Sequence, residues 1–386
     1  MTRRVYIAGI IAFLFAAMIS VPVCAQTAQT ENDVPLTAAD SLAMLDRKVS
    51  KWDKLLAKLP SLSAFMQIQY TWERQGDEPS VSQFRIRRAR ITLAGNIYRE
   101  LVDYNFMVEF AGSPKIVDAY LRVTPWKQFN VQVGSFRPAF TLENYFYGAT
   151  TTELIEYPQI VSKMTTIGDI SGMGRGSVGR DIGLQAYGGF FNSGGFSRVQ
   201  YYAGIFNGNG LDYNSHSSKD FAAMLRINPV KPLALVGSVY RGKWSPSGNR
   251  SYAARNRWSA GFMYDDSKWF ARGEYISGET GGLKTDNLLV APAGEKLLTD
   301  GAYLLAGVWF CGGKVAPIVR AEFYTQNTEA RSRTTDMAYT AGLFYRPLKY
   351  LRVQLNYTAT TYSYTPAGFG SRPMGNRISV MLTGMF

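Results

Sequence analysis

The sequence predicts an all-β protein: a transmembrane antiparallel β-barrel of 16 strands, preceded by a short N-terminal α-helix. Apolar and polar residues alternate with a period of two from Pro60 to Phe386, which is typical of strands with one apolar face. Very short connections alternate with longer polar ones along the same stretch, which is typical of bacterial outer-membrane barrels.

The first 25 residues predict export from the cytoplasm. Arg3 and Arg4 precede an apolar stretch that runs to about Val23, and small residues follow up to Ala25. This is the pattern of a secretory signal peptide, residues 1–25, with cleavage after Ala25. A lipoprotein site at Cys24 is the competing interpretation, but the preceding residues lack the small side chain that such a site requires.

Residues 26–60 predict a disordered lead followed by an amphipathic helix that Pro60 ends. The lead, residues 26–37, is polar, whereas apolar residues then recur at steps of three and four over about two and a half heptads. Two interpretations remain open: a periplasmic coiled coil that joins protomers, or a helix lying against the periplasmic mouth of the barrel. The repeating positions are Leu42, Leu45, Val49, Trp52, Leu56 and Leu59.

The spacing of connections within the barrel domain, residues 61–386, sets the strand number. The short turns are at residues 97–101, 125–128, 192–195, 228–233, 265–268, 311–314 and 346–350. The longer loops are at residues 74–80, 112–115, 137–180, 207–219, 243–254, 280–299, 326–335 and 363–374. Seven turns and eight loops connect 16 strands, and a barrel of that size encloses an aqueous channel unless something fills it.

The long loop, residues 137–180, is predicted to fold inward and constrict the channel. Loops of this length inside a compact domain are usually functional. Its aromatic side chains need a surface to pack against, which favours this interpretation over a disordered outward lid. The candidate constriction residues are Arg137, Glu143, Lys163 and Arg180.

Phe386 closes a final strand whose alternate residues are apolar. An aromatic residue at the end of such a strand resembles the closing strand of bacterial outer-membrane barrels. Phe386 is therefore the candidate insertion signal for the barrel-assembly machinery, and we expect the protein in the outer membrane of a Gram-negative bacterium.

Four motifs resemble the phosphate-selective porin O and P family. They are the runs that begin at Arg85 (RIRRAR), Gly134 (GSFRPAFTLE), Arg180 (RDIG) and Tyr202 (YAGIFNG). The resemblance implies a trimeric, 16-stranded outer-membrane porin that passes small anions, with phosphate or polyphosphate as candidate solutes.

Arginine dominates the strand positions that alternate away from the apolar face. Rings of basic side chains favour anions, and a guanidinium matches phosphate and carboxylate geometry. Some of these arginines can instead pair with inward acids and hold the long loop. Arg85 and Arg87 fall on the opposite phase, so either a bulge re-aims them or they lie above the bilayer. The candidate pore-lining and anion-binding residues are Arg88, Arg90, Arg122, Arg226, Arg257, Arg272, Arg320, Arg352 and Arg377.

Other functions fit the sequence less well. A general, weakly selective porin is the main alternative, followed by a plugged structural barrel. An enzyme is not expected, because the single histidine, His216, lies in a polar loop that would orient a base poorly. No cofactor, metal or nucleic acid is expected; the predicted partners are small anions, outer-membrane lipid and two further copies of the chain.

Overall fold

The computed structural model describes residues 60–98, 101–174, 176–193, 195–212, 218–244, 252–281, 296–362 and 373–386. Within these residues the chain forms a closed antiparallel β-barrel of 16 strands, in which each strand pairs with its neighbours in sequence. The predicted all-β fold class and strand number are confirmed. The predicted signal peptide and N-terminal helix lie outside the described residues.

The strand ends coincide with the turns and loops that the sequence indicates. The strands are β1 (Ser61–Gln75), β2 (Val81–Tyr98), β3 (Val102–Glu109), β4 (Lys115–Trp126), β5 (Phe129–Phe136), β6 (Asp181–Ser193), β7 (Phe196–Phe206), β8 (Asp220–Val230), β9 (Leu233–Trp244), β10 (Ala253–Asp265), β11 (Trp269–Gly281), β12 (Lys296–Val308), β13 (Val315–Thr325), β14 (Thr335–Leu348), β15 (Leu351–Tyr362) and β16 (Gly375–Met385).

The barrel closes between β1 and β16. Their register runs from Phe65 opposite Met385 to Gln75 opposite Gly375. Beyond the strand, the backbone N–H of Phe386 donates to the carbonyl of Ala64 at 2.8 Å, and the N–H of Ala64 returns a bond at 3.2 Å. The Phe386 side chain is exposed on the same phase as Leu382, so it continues the outer apolar face.

The outward and inward faces of the barrel wall differ in their exposure, as the residues of β9 show. Leu235 and Val239 point outward and are exposed, whereas Val236 and Tyr240 point inward and are buried. The outward face therefore presents an apolar surface of the kind that lipid covers. The inward face is partly apolar too, which shows that something inside the barrel packs against it.

The remaining regular elements are short. The long loop carries α1 (Leu142–Phe146) and α2 (Gln159–Lys163). The connection between β13 and β14 carries a 3₁₀ turn (Thr328–Ala330) and α3 (Arg331–Thr334). Among the described residues, no helix has the length and apolar character needed to cross a membrane.

Candidate functional site

The long loop lies inside the barrel, where charged groups on the wall hold it. Arg272 of β11 donates to Glu143 at 2.6 and 3.0 Å and to Glu153 at 2.7 Å. Its guanidinium also lies over the ring of Tyr147, 3.9 Å from the centroid. All three partners belong to the loop, and Arg272 is 2% exposed. The loop is thus fixed to β11, five strands away from β6, at which the loop ends.

A second anchor lies on β10. Arg257 donates to both carboxylate oxygens of Asp169, at 2.6 and 2.9 Å, and Arg255 lies 3.5 Å from the same carboxylate. Burial alone would raise the pKa of Asp169, but the two guanidinium groups outweigh it and hold that pKa below its ordinary value. This carboxylate therefore stays ionised inside the barrel.

A third anchor grips the loop by its backbone. Arg352 of β15 donates to the carbonyls of Ala149 and Thr150, each at 2.8 Å. Gln354, two residues along the same inward face, donates to the carbonyl of Thr152 at 3.1 Å. Two strands away in the wall, Gln67 of β1 also donates to Ala149, at 2.9 Å. Inward side chains of β1 and β15 therefore bind several carbonyls of one loop segment.

The loop attaches at its two ends as well. Arg180 forms an ion pair with Asp118 of β4, at 3.0 and 3.1 Å. Arg137 donates to the carbonyls of Asn144 and Tyr147, both at 2.9 Å, and its burial lowers its pKa to about 10. Local geometry supports the first turn of α1, since the Thr141 hydroxyl accepts from the Asn144 N–H at 3.2 Å.

Apolar packing fills the space between these anchors. Loop residues and inward wall residues form one buried cluster, so the β8–β14 side of the barrel contains a core and not open water. Its loop members include Phe140, Leu142, Leu154, Ile160 and Met164, and its wall members include Val236, Ile276, Leu305 and Ile318. A cavity remains at the short-turn end of the barrel, and two open clefts lie on the β1–β4 and β13–β16 side.

An arginine-rich cleft opens on that side, between β2 and the long loop. It has a volume of about 400 Å³ and is lined by Arg85, Arg87, Arg88, Arg90 and Lys115, with Glu109 and Glu156 as its only carboxylates among the described residues. Arg90 is tied to Glu109 at 2.7 Å. Arg87 is tied to Glu156, with one bond of 2.8 Å and a second, shorter one.

Arg85 and Arg88 are less completely neutralised by carboxylates than Arg87 and Arg90 are. Arg88 donates to the neutral amide oxygen of Gln67 at 2.8 Å. Arg85 donates to the amide oxygen of Gln69 at 3.0 and 2.8 Å and lies 3.7 Å from Glu156. The two guanidinium groups that rest mainly on neutral oxygens are therefore the best placed to bind an anion.

The strand alternation breaks between Arg87 and Arg88. Both side chains reach interior partners, Glu156 and Gln67, although neighbours in a regular strand point to opposite faces. The Ala89 N–H donates to the Glu109 side chain at 2.7 Å, as expected where the ladder is disrupted. The local break re-aims Arg85 and Arg87 inward, which the sequence had left open.

A larger outer vestibule adjoins this cleft through Glu156. Its volume is about 570 Å³, and Lys163, Arg320 and Arg377 line it. Arg320 donates to the Glu156 carbonyl at 2.6 Å, and Arg377 pairs with Glu73 at 2.9 Å while both side chains remain about half exposed. Burial would raise the pKa of Glu156, but Arg87 outweighs it and holds that pKa well below the ordinary range.

The other candidate arginines lie below the loop, toward the short turns. Arg122 holds Asp103 with two bonds of 3.0 Å. Arg226 donates to Asn228 at 2.9 Å and lies over the Phe146 ring at 5.1 Å. A cavity of about 730 Å³ opens at this end, lined by Arg352, Arg346 and Trp309 among others.

Sequence reasoning missed the wall glutamines. Gln67 and Gln69 of β1 connect the long loop to the arginine cleft, because each contacts both. One sequence signal could have identified them. Polar residues alternate with apolar ones in β1, which places the polar set on the inward face. The polar residues are Gln67, Gln69 and Thr71, and the apolar ones are Met66, Ile68 and Tyr70. His216 lies outside the described residues, and within the described residues no cluster of acidic, histidine or cysteine side chains could hold a metal ion.

The model of the family named phosphate-selective porin O and P matches residues 64–234. The resemblance to this porin family is confirmed. The matched segment contains the four motifs, the arginine cleft and the whole long loop. Together with the closed barrel, the match indicates a porin channel of the outer membrane. No curated protein matches the chain.

Solved porins share the fold at low sequence identity. An anion-selective porin from Comamonas acidovorans is 12% identical over 85% of this chain and 99% of its own, with a TM-score of 0.59. The OmpF porin of Salmonella typhi, in complex with daunomycin, is 13% identical over 86% and 99%, with a TM-score of 0.60. The trimer form of OmpT from Vibrio cholerae is 13% identical over 85% and 100%, with a TM-score of 0.56.

Proposed function

We propose that the chain forms an outer-membrane channel for small anions, and that the arginine cleft is where it selects them. The observation that carries this proposal is Arg88, whose guanidinium rests on the neutral oxygen of Gln67 inside a strongly basic cleft. A guanidinium without a carboxylate partner stabilises an entering anion more than a guanidinium that a carboxylate already neutralises.

The charge balance of the cleft supports the same proposal. Five basic side chains against two carboxylates leave a formal excess of three positive charges within about 400 Å³. Guanidinium groups offer planar sets of donors that fit phosphate and carboxylate oxygens. Basic rings in a narrow passage favour anions over cations.

Three other inward arginines act mainly on the long loop. The bonds of Arg257, Arg272 and Arg352 go to carboxylates or carbonyls of that loop. Their role in this proposal is to keep the loop in place as the constriction. Solute contact is assigned to Arg85 and Arg88, with Arg87 and Lys163 at the edge of the path.

The test is a conductance measurement in planar lipid bilayers. We expect phosphate at millimolar concentration to reduce chloride current, and Arg88→Gln to relieve that block by about tenfold or more in concentration, since a charged hydrogen bond is worth about 1.5–3 kcal/mol. Arg226→Gln is the matched control, because Arg226 also points inward but lies at the opposite end. Equal relief in both variants, or none in Arg88→Gln, would place the anion site elsewhere.

A general, weakly selective porin is the second candidate function. The outer vestibule favours it, because four basic and four acidic side chains line that space and leave no net charge. If the vestibule and not the cleft governs permeation, potassium and chloride will cross at similar rates. Phosphate will then block no better than sulfate at equal ionic strength.

We propose the assembly and export of the chain from its sequence and its family. Residues 1–25 would direct the chain into the periplasm and then be removed, and Phe386 would engage the barrel-assembly machinery from there. The mature protein is proposed to be a homotrimer in the outer membrane. The family match and the trimer form of the similar Vibrio cholerae porin support this.

A further inference from the structure

Basic side chains interrupt the otherwise apolar outer face of the barrel on β9–β12. Arg241 and Lys243 of β9 and Lys296 of β12 are exposed, and they alternate in sequence with inward residues such as Tyr240 and Trp244. All three lie near the strand ends that join the longer loops. In outer-membrane barrels that is the external end.

Register places these residues in two adjacent rows across the sheet. The upper row is Lys243, Ala254, Gly281 and Lys296. Lys243 pairs with Ala254, and Gly281 pairs with Lys296. Arg255 pairs with Thr280, so the next position of that register sets Ala254 beside Gly281. The lower row is Arg241, Asn256, Glu279 and Leu298. Two lysines thus flank a shallow notch floored by Ala254 and Gly281, about 14 Å apart at three strand spacings.

Aromatic side chains lie directly below the notch. Trp258 and Tyr275 project from β10 and β11 with ring centroids 5.5 Å apart. Tryptophan and tyrosine at such positions mark the boundary between hydrocarbon and headgroups. The notch therefore lies at the depth of the lipid headgroups and not in bulk water.

The cations of the notch are available to a ligand. Within the described part of the chain, the guanidinium of Arg241 and the ammonium of Lys243 form no hydrogen bond or ion pair. Lys296 pairs with Glu279 at 2.9 Å, but its side chain is 63% exposed. Exposed pairs of this kind contribute little stability, so a stronger anion can displace the carboxylate.

We propose that this notch binds the phosphate group of a lipid in the outer leaflet of the outer membrane. Among the described residues of the notch, three positive charges face one carboxylate, that of Glu279, and the small floor admits a headgroup. The positive charges belong to Arg241, Lys243 and Lys296. The acyl chains of that lipid pack on the apolar wall below. This site faces away from the channel interior, so it does not depend on which solute the channel carries.

The experiment measures lipid binding to the full-length mature barrel in detergent by native mass spectrometry. The probes are bisphosphorylated lipid A and the same lipid without phosphates. We expect tighter binding of the phosphorylated form. Basic residues near a membrane surface contribute roughly fivefold each to affinity for anionic lipid, so the double variant Arg241→Gln/Lys243→Gln should bind about 25-fold more weakly.

Two further variants separate this site from general charge effects. Glu279→Gln removes the only acid among the described residues of the notch and should strengthen binding of the phosphorylated lipid. Lys231→Gln is the matched control, because Lys231 is exposed in the turn at the other end of the β8–β9 hairpin. Heat-modifiable migration on a gel confirms that each variant is folded.

Three results would overturn the proposal. The first is equal weakening by Lys231→Gln and by the double variant. The second is equal binding of the two lipids by the unmodified protein. The third is a double variant that keeps its lipid affinity but changes its oligomeric state, which would make the notch a contact between copies of the chain.

Discussion

Removal of the Arg272 guanidinium should release the long loop from the wall. In Arg272→Met, Glu143 and Glu153 lose the guanidinium that binds both of them, although both carboxylates remain in a buried position. Breaking a buried ion pair by removing one partner costs about 3–5 kcal/mol. Since about 1.4 kcal/mol is a factor of ten, even the lower value raises the ratio of released to anchored loop about a hundredfold.

The assay is single-channel conductance combined with limited proteolysis. A released loop frees the space that it fills, so we expect larger and noisier currents and trypsin cleavage after Lys163. Arg346→Met is the control, because Arg346 is exposed at a short turn and its one described side-chain bond goes to the Gly313 carbonyl at 3.2 Å. The triple variant Arg272→Met/Glu143→Gln/Glu153→Gln should recover part of the protection, since it removes the unpaired charges.

Unchanged conductance together with a protease-resistant loop in Arg272→Met would refute this reasoning. It would mean that the backbone grip of Arg352 and Gln354, with the apolar core, holds the loop without the charges. In that case the buried ion pairs would set where the loop lies inside the barrel, but they would not be needed to keep it there.

The remaining predictions concern pH, backbone geometry and assembly. Because Arg87 holds the pKa of Glu156 below the ordinary value of 4.5, this ion pair stabilises the loop fully above that pH and is lost only as the pH falls further. The effect of Glu156→Gln on chloride conductance should therefore be the same at pH 7 and at pH 5, and an effect that disappears near pH 6 would contradict the assignment. Gly134 has a φ of 130°, and a Cβ there would lie 2.1 Å from the Ala119 carbonyl oxygen, so Gly134→Ala should reduce the yield of folded barrel, whereas Gly237→Ala, with its nearest atom at 3.9 Å, should fold normally. Deletion of residues 26–60 behind an intact signal peptide tests the helix: dissociation of trimers on sizing would support the coiled coil, and intact trimers would favour a helix at the periplasmic mouth.

The barrel was predictable because the sequence features that determine it are local and recur in every strand. Alternation in each strand and the lengths of the connections follow from neighbouring residues, so the 16 strand positions could be read without knowing any long-range contact. The inward phase of Arg257, Arg272 and Arg352 followed from the same rule.

The interior could not be predicted in the same way. Arg272 and Glu143 are 129 residues apart, and Arg352 and Ala149 are 203 apart, so nothing in either segment indicates its partner. Alternation also cannot show that inward apolar residues pack against a loop instead of facing water. The change of phase at Arg87 and Arg88 is a local break, and a strict period of two misplaces every residue on one side of it.

The most direct test of the central claim is the reversal potential of the purified channel in a tenfold gradient of potassium chloride. The proposal predicts a potential of the sign that marks chloride as the more permeant ion, reduced toward zero by Arg88→Gln and unaffected by Arg226→Gln. A potential near zero, or one of the opposite sign, would contradict an anion channel governed by the arginine cleft.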